Sequence, residues 1–336
     1  MKGIVVKGDQ LNPRLVWEAV PDLVFGSDEI LVDVWATAVN RADLLQATGG
    51  YPPPAGASEI LGLEMAGVVA EVGEDVEEWQ VGDRVCALLP GGGYAEQVAV
   101  PAGMLIRLPD SWSFAMGTAV PEVWYTAYVN LFLEGDLVAG ETVLIHAGAS
   151  GVGTAAIQLA NAADATVFIT AGSAEKLLAC RKLGAELTIN YKQDDFLEKV
   201  LAATHGQGVD LILDPVGGGY LDRNVRALGR YGRLVNIGLL GGTHGEMNMG
   251  LVLGKRLRII GSTLRSRPPA EKVKITEQFQ SGFWPLLRDG ELEPIIDTIF
   301  PIEQAQEAHS YVAQNKNIGK VILTIREGAD ARPEVV

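Results

Sequence analysis

The sequence predicts an α/β protein: a doubly wound parallel sheet accompanied by a second, β-rich domain. Three observations carry the prediction. Residues 142–161, TVLIHAGASGVGTAAIQLAN, read as a strand that runs through Gly148, Gly151 and Gly153 into a helix. After Pro121, apolar strands alternate with amphipathic helices, which is the pattern of a parallel sheet. Before it, short β-rich runs are cut by glycine and proline at regular spacing, which suggests a compact, partly closed β-domain.

In chain order, strands are expected at residues 3–6, 29–39, 64–72 and 95–100, separated by turns such as Tyr51-Pro52-Pro53-Pro54 and Pro90-Gly91-Gly92-Gly93. The acidic run 75–79, DVEEW, reads as a solvated turn. Six strands follow, at 142–146, 166–170, 186–190, 210–213, 234–237 and 258–261, with helices at 174–183 and 196–204 between the first of them. Right-handed crossovers place the ligand-binding turns of such a sheet outside the strands' carboxyl ends. Residues 265–269 mark a return to the first domain, through a helix over about 271–289, another at 302–314 and a last strand at 320–325. The tail, 327–336, is polar and expected to fray. The domains are therefore 1–121 with 266–336, and 122–265.

Composition narrows the function. The 336 residues are 48% hydrophobic and 21% charged, as in ordinary globular proteins, and suffice for two sizeable cores. A formal net charge of -15 disfavours nucleic acid as the main ligand. The two cysteines, Cys86 and Cys180, lie in apolar settings and read as reduced thiols. The opening residues lack the apolar core of a signal peptide, and no apolar run approaches membrane-spanning length. A cytoplasmic enzyme or binding protein, without a membrane partner, is expected.

The turn in 142–161 is the first candidate site. A turn this sharp calls for positive backbone angles and an absent side chain, both of which glycine provides. The helix then opens with free N–H groups and the positive end of its dipole, where a pyrophosphate fits. The spacing is Gly-x-x-Gly-x-Gly rather than Gly-x-Gly-x-x-Gly, but counted from Ala147 the series Ala-x-x-Ser-x-x-Gly supplies the same small residues. Ser150, Gly151 and Val152 are the candidate contacts. At the end of the second strand, where an NAD site places an acid, the chain reads Thr170-Ala171-Gly172-Ser173-Ala174-Glu175-Lys176. Gly172, Ser173 and Lys176, with Tyr191 past the third strand, suit a 2′-phosphate, so NADPH is favoured over NADH. The alternative is that Ser173 merely caps the next helix and Lys176 is a solvated surface residue. Glu175 dissents, although in a first helical turn it complements the dipole.

Several separated motifs add a resemblance. Asn40-Arg41-Ala42-Asp43-Leu44, Gly62-Leu63-Glu64-Met65-Ala66-Gly67, Leu89-Pro90-Gly91-Gly92-Gly93, the run from His146 to Gln158, and Asn315-Lys316-Asn317-Ile318-Gly319-Lys320 resemble the medium-chain dehydrogenase/reductase superfamily. Within it the chain is most similar to the zinc-free quinone oxidoreductases, particularly the p53-inducible quinone oxidoreductase-like group. The resemblance covers nearly the full length. It implies a GroES-like catalytic domain, a Rossmann domain, NADPH, and a homodimer joined through the Rossmann sheets. Zinc alcohol dehydrogenases of the superfamily carry a Cys where Asn40 stands and a His where Leu63 stands, and neither replacement can hold zinc. The four histidines show no ligand spacing, and His146 reads as a structural residue at a strand end. No metal is expected.

The resemblance also suggests site residues. Tyr51 lies in what resembles the family's active-site tyrosine loop, and Asn40 would contact nicotinamide or substrate from the position zinc has vacated. Thr126 would touch the nicotinamide, Ile237 and Gly238 would allow close backbone approach, Leu264 and Ser266 would flank the ring, and Asn317 would reach back across the cleft. The alternative for each is ordinary loop or helix structure. The expected reaction is hydride transfer from NADPH to a quinone or conjugated enone, with a hydroxyl or solvent supplying the proton. One rival is a 2-enoyl-thioester reductase, for which Arg265 and Arg267 would form a small basic entrance. Another is a non-catalytic NADPH-binding protein.

Overall fold

The chain opens with an antiparallel ribbon of β1 (Lys2–Lys7) and β2 (Arg14–Ala19). In β3 (Glu29–Val39), Ile30, Val32, Val34, Ala36 and Ala38 are all fully buried, so one face of a long strand is given wholly to the core. After α1 (Arg41–Ala47) come β4 (Glu64–Val72), β5 (Arg84–Leu88), β6 (Gln97–Pro101) and β7 (Leu105–Arg107), then α2 (Phe114–Thr118) and α3 (Pro121–Tyr128). Gly67 is where β4 crosses β3 most closely: a Cβ there would lie 2.1 Å from the Asp33 carbonyl oxygen. The computed structural model describes residues 1–331. It divides into two units, one formed by residues 1–125 and 265 onward, the other by Thr126–Leu264.

The second unit holds β8 (Thr142–Ile145), α4 (Gly151–Ala162), β9 (Thr166–Ala171), α5 (Ala174–Lys182), β10 (Leu187–Asn190), α6 (Phe196–Ala203), β11 (Val209–Asp214), α7 (Leu221–Ala227), β12 (Leu228–Asn236), α8 (Met249–Lys255) and β13 (Arg258–Gly261). All six strands are parallel, in the order β10-β9-β8-β11-β12-β13. Winding reverses between β8 and β11, and that reversal leaves a crevice outside their carboxyl ends. This is the doubly wound sheet that the sequence predicts. Its fifth strand is longer than the expected 234–237, beginning at Leu228 beside a register shift opposite Val209 and Leu211.

The chain then completes the first unit with α9 (Pro269–Gly282), α10 (Trp284–Arg288), β14 (Ile296–Pro301), α11 (Ala305–Ala313) and β15 (Lys320–Thr324). Its sheet runs β14-β15-β3-β4-β5-β7, with β6 also on β3. Two expectations are corrected. The single helix over 271–289 is two helices broken at Phe283, because Pro285 cannot donate back to the preceding turn. The tail does not fray over 327–331: Ala329 is fully buried and its carbonyl accepts from the Ala115 N–H at 3.0 Å. The remainder of the expected tail, 332–336, lies outside the described residues.

Inside the second unit, Arg233 of β12 is buried and ties down the segment that leads into β8. It donates to the carbonyls of Gly135 at 2.7 Å and Asp136 at 3.0 Å, and grips both carboxylate oxygens of Glu141 at 2.7 and 2.6 Å. Arg233→Met keeps the stem but leaves these acceptors unpaired. It should destabilise the protein by about 2–3 kcal/mol in chemical denaturation, and an unchanged midpoint would show the fork to be dispensable.

Candidate active site

In the second unit the β8–α4 turn is set by packing. A methyl group at Gly148 would fall 2.7 Å from Ile169 Cβ, and one at Gly153 would fall 2.5 Å from the carbonyl oxygens of Ala147 and Gly148. The positive backbone angle expected of a glycine belongs instead to Ala147, at φ 53. Ser150 caps α4 by accepting from the Gly153 N–H at 3.1 Å, and the amides of Gly151 and Val152 precede the first intrahelical bonds. The helix therefore starts at the winding reversal with donors at its mouth.

At the carboxyl ends of β9 and β10, Gly172 meets Tyr191, and Ser173 and Lys176 belong to the opening of α5 that follows. A methyl at Gly172 would lie 2.8 Å from Tyr191 Oη and 3.2 Å from Lys192 Cε. Ser173 does cap α5, accepting from the Lys176 N–H at 3.3 Å, while Glu175 is exposed. Tyr191 is 46% exposed, so its ring presents a free face. Lys192 is a second cation at this corner that the sequence reading passed over. The signal was its adjacency to Tyr191.

The next two loops are zipped together. Gly238 packs on Pro215, with a Cβ position 2.8 Å from the Pro215 carbonyl oxygen, and Leu240 and Gly241 donate to Pro215 and Val216 at 3.1 and 2.7 Å. Beneath them lies Asp214, which the sequence did not single out. Its buried carboxylate accepts from Val216 N at 2.6 Å, Gly217 N at 3.1 Å and Asn224 Nδ2 at 3.0 Å. Asn224 Oδ1 then accepts from His146 Nε2 at 2.8 Å, which makes Nδ1 the acceptor for the Thr170 hydroxyl at 3.0 Å. Burial lowers the His146 pKa to about 4, so the ring stays neutral. Ile237 and Thr126 are half-buried and Leu264 is buried in the same unit.

The first unit contains a buried polar cluster. Lys320 Nζ donates to Asn40 Oδ1 and Glu64 Oε1, each at 2.7 Å, and Asn40 Nδ2 donates to Glu64 Oε1 at 2.8 Å. The Glu64 and Lys320 side chains are 0% and 3% exposed. The Glu122 N–H occupies Glu64 Oε2 at 2.8 Å. Asp43 accepts from the N–H groups of Asn40 at 2.7 Å and Gly62 at 3.0 Å, and burial still lifts its pKa to about 6. Desolvation, then the neighbouring Glu64, pushes Glu122 up to about 8. Asn40 spends its amide on this network, so any contact with a ligand would use the remaining lone pair of Oδ1.

Tyr51 is half-buried in the same unit. Arg265 lies over its ring at 5.4 Å and donates to its carbonyl at 3.3 Å. The same guanidinium donates to the Pro90 carbonyl and to Gln46 Oε1, both at 2.7 Å. Ser266 is exposed, and Asn317 turns its amide onto the Gly319 carbonyl at 2.7 Å, shaping the entry to β15.

Residues 26–110 match the family described as alcohol dehydrogenase GroES-like domain, and residues 151–280 the family described as zinc-binding dehydrogenase. Quinone oxidoreductase-like protein 2 of Bos taurus is 30% identical over 318 residues, which is 94% of this chain and 91% of that protein. The chain belongs to the medium-chain dehydrogenase/reductase superfamily. It has the superfamily's two domains, GroES-like and Rossmann. The Escherichia coli quinone oxidoreductase crystallised with NADPH superposes with a TM-score of 0.85 at 28% identity, covering 97% of this chain and all of that one. The CurK enoyl reductase gives 0.83 at 28%, covering 97% and 99%. Phenolphthiocerol synthesis polyketide synthase type I Pks15/1 of Mycobacterium bovis is 35% identical over 88% of this chain, but the chain spans only 14% of its length. Among the described residues no helix is long and apolar enough to cross a membrane.

The superfamily fold thus places a lysine ammonium against Glu64. Lys320→Met would leave that carboxylate buried with Asn40 and one backbone N–H. Loss of about 3–5 kcal/mol is expected in urea titrations, with substantial recovery in the Glu64→Gln/Lys320→Met double variant. Equal stability of the single variant and the parent would show the pair to be energetically idle.

Proposed function

We propose that the chain is a zinc-independent, NADPH-preferring reductase of quinones or conjugated enones. The observation that carries this reading is the Asn40–Glu64–Lys320 cluster. Buried Leu63 offers no donor atom, and the Glu64 carboxylate already faces an ammonium at 2.7 Å. A divalent cation placed there would meet a fixed positive charge and too few ligands, so zinc does not fit this donor set. Quinones are electrophilic without a Lewis acid, and that matches a polar but metal-free site.

The cofactor residues fit NADPH. Ser150, Gly151 and Val152 would hold the pyrophosphate at the start of α4, and Ser173, Lys176, Tyr191 and Lys192 would meet the 2′-phosphate and the adenine face. A capping hydroxyl such as Ser173 still has its proton to donate. When bound, the cofactor supplies hydride. The protein supplies orientation: burial, and after it Glu122, raises the Tyr51 pKa, so its hydroxyl stays protonated and can hold the acceptor's oxygen. The enoyl-thioester reading is supported by relatives such as CurK, but it needs a cationic entrance. Arg265 is buried on three acceptors and Arg267 pairs with Glu271, which favours small uncharged acceptors.

NADPH titration followed by nicotinamide fluorescence tests the cofactor assignment. The double variant Lys176→Ala/Lys192→Ala should weaken NADPH by about 10–100-fold while leaving NADH within about threefold, and equal loss for both would remove the 2′-phosphate role. Initial rates with quinones, enones and crotonyl-CoA test the substrate class. Tyr51→Phe should lower kcat/KM for quinones about tenfold, the value of one hydrogen bond; full turnover with every acceptor would end the hydroxyl's role.

A further inference from the structure

We propose that Arg265, braced by Gln46, is a positioning residue that fixes the Tyr51 hydroxyl where it holds the acceptor's oxygen. The inference rests on the reductase reading above, which gives that hydroxyl its task, and it names the group that keeps the hydroxyl in place.

The loop that carries Tyr51 is poorly equipped to hold itself. Gly49, at φ 75, and Gly50 precede the tyrosine, and Pro52, Pro53 and Pro54 follow it without an N–H among them. Its backbone bonds lie at the ends: Gly49 and Gly50 donate to the Gln46 and Leu45 carbonyls at 2.9 and 2.8 Å, and Ala57 donates to the Pro54 carbonyl at 3.0 Å. In the middle, the polar tie to Tyr51 is Arg265. Its Nη1 donates to the Tyr51 carbonyl at 3.3 Å while the guanidinium lies over the Tyr51 ring at 5.4 Å, so main chain and phenol are gripped from one point.

The same guanidinium joins the two ends of the loop. Nη2 donates to Gln46 Oε1 at 2.7 Å, and Gln46 passes the tie on by donating from Nε2 to the Glu59 carbonyl at 3.0 Å. Nε donates to the Pro90 carbonyl at 2.7 Å, and the turn that follows Pro90 is laid against the loop by the Gly92 N–H on the Ile60 carbonyl at 2.8 Å. Glycine lets that turn close: a Cβ at Gly91 would fall 2.7 Å from the Ser58 carbonyl oxygen and 3.5 Å from Arg265 Nη2.

The arginine is itself held. It is 3% exposed, and the buried Lys272 donates from Nζ to its carbonyl at 2.6 Å. A planar fork suits acceptors that arrive from three segments, whereas an ammonium on a flexible stem would reach fewer of them. Every member of the clamp belongs to the first unit. Among the described residues the Tyr51 hydroxyl takes no part in it, so the clamp fixes the ring and leaves the oxygen for a ligand. A brace for the fold alone would act whether or not that oxygen is present. A positioning residue acts on rate through it.

A double-variant cycle on the full-length protein separates these: the parent, Arg265→Lys, Tyr51→Phe and the two together, each measured for kcat/KM with 1,2-naphthoquinone at saturating NADPH and for its midpoint in urea. Arg265→Lys should lower kcat/KM about tenfold in the parent background but less than about twofold in the Tyr51→Phe background, where the oxygen it places is already gone. Its shift of the urea midpoint should be the same in both. Gln46→Met, which removes the acceptor that braces the fork, should show the same coupling with a loss of about threefold, and it carries the test if Arg265→Lys does not fold. An equal loss of rate in both backgrounds, or a loss in neither, overturns the proposal alone. Absence of quinone and enone turnover by the parent with NADPH bound, or a Tyr51→Phe variant as active as the parent, overturns the reading of Tyr51 and this proposal with it.

Discussion

The first unit is closed by one buried ion pair. Its chain leaves at Tyr125 and returns at Arg265, so its last strand must find a sheet laid down more than a hundred residues earlier. Backbone pairing of β15 with β3 is compatible with other registers, because a ladder of amides is nearly the same after a two-residue slip. Lys320 removes that freedom. Only in the observed register does its ammonium reach Asn40 at the end of β3 and Glu64 at the start of β4, both 2.7 Å away. A slipped register would bury the ammonium and the carboxylate apart, which low dielectric makes severe. Arg41 adds a second tie by donating to the Val312 carbonyl at 3.2 Å and Asn315 Oδ1 at 2.6 Å.

What the sequence revealed follows from where the physics is local. The strand–turn–helix of 142–161, the six alternating strands and the return after Arg265 are written in apolar periodicity, which neighbouring residues decide. The helix break at Phe283 was missed although its signal, Pro285, is just as local. The Asp214–Asn224–His146–Thr170 chain was not legible, because its members come from β11, α7, the turn after β8, and β9 and meet only after the sheet has wound. For the same reason Lys320, far away in sequence, could not be recognised as the partner of Asn40 and Glu64.

The glycines of the nucleotide turn show a subtler limit. Their pattern suggested backbone freedom and ligand approach, yet Gly148 and Gly153 are held small by Ile169 and by the turn's own carbonyls. Packing and binding make the same demand on side-chain size, so sequence cannot separate them. The left-handed angle that the turn does need falls on Ala147, where a single Cβ costs about 1–2 kcal/mol and is supported by the surrounding bonds.

Three buried carboxyls of the first unit differ in the donors that reach them. Glu64 has an ammonium, an amide and a backbone N–H; Asp43 has two backbone N–H groups; Glu122 has a sealed oxygen with no donor at all. Burial raises Asp43 to about 6 against the pull of its two N–H donors, and burial followed by the charge of Glu64 raises Glu122 to about 8. Each N–H aimed at a carboxylate favours its ionised form, so the acid with none is the one that keeps its proton. Environments that push neighbouring pKa values apart are how a protein assigns distinct tasks to identical groups. Here the donors that hold the buried Glu64 side chain, including the backbone N–H of Glu122 itself, are the ones denied to the Glu122 side chain, so the contact that closes the sheet and the raised Glu122 pKa arise from the same hydrogen bonds.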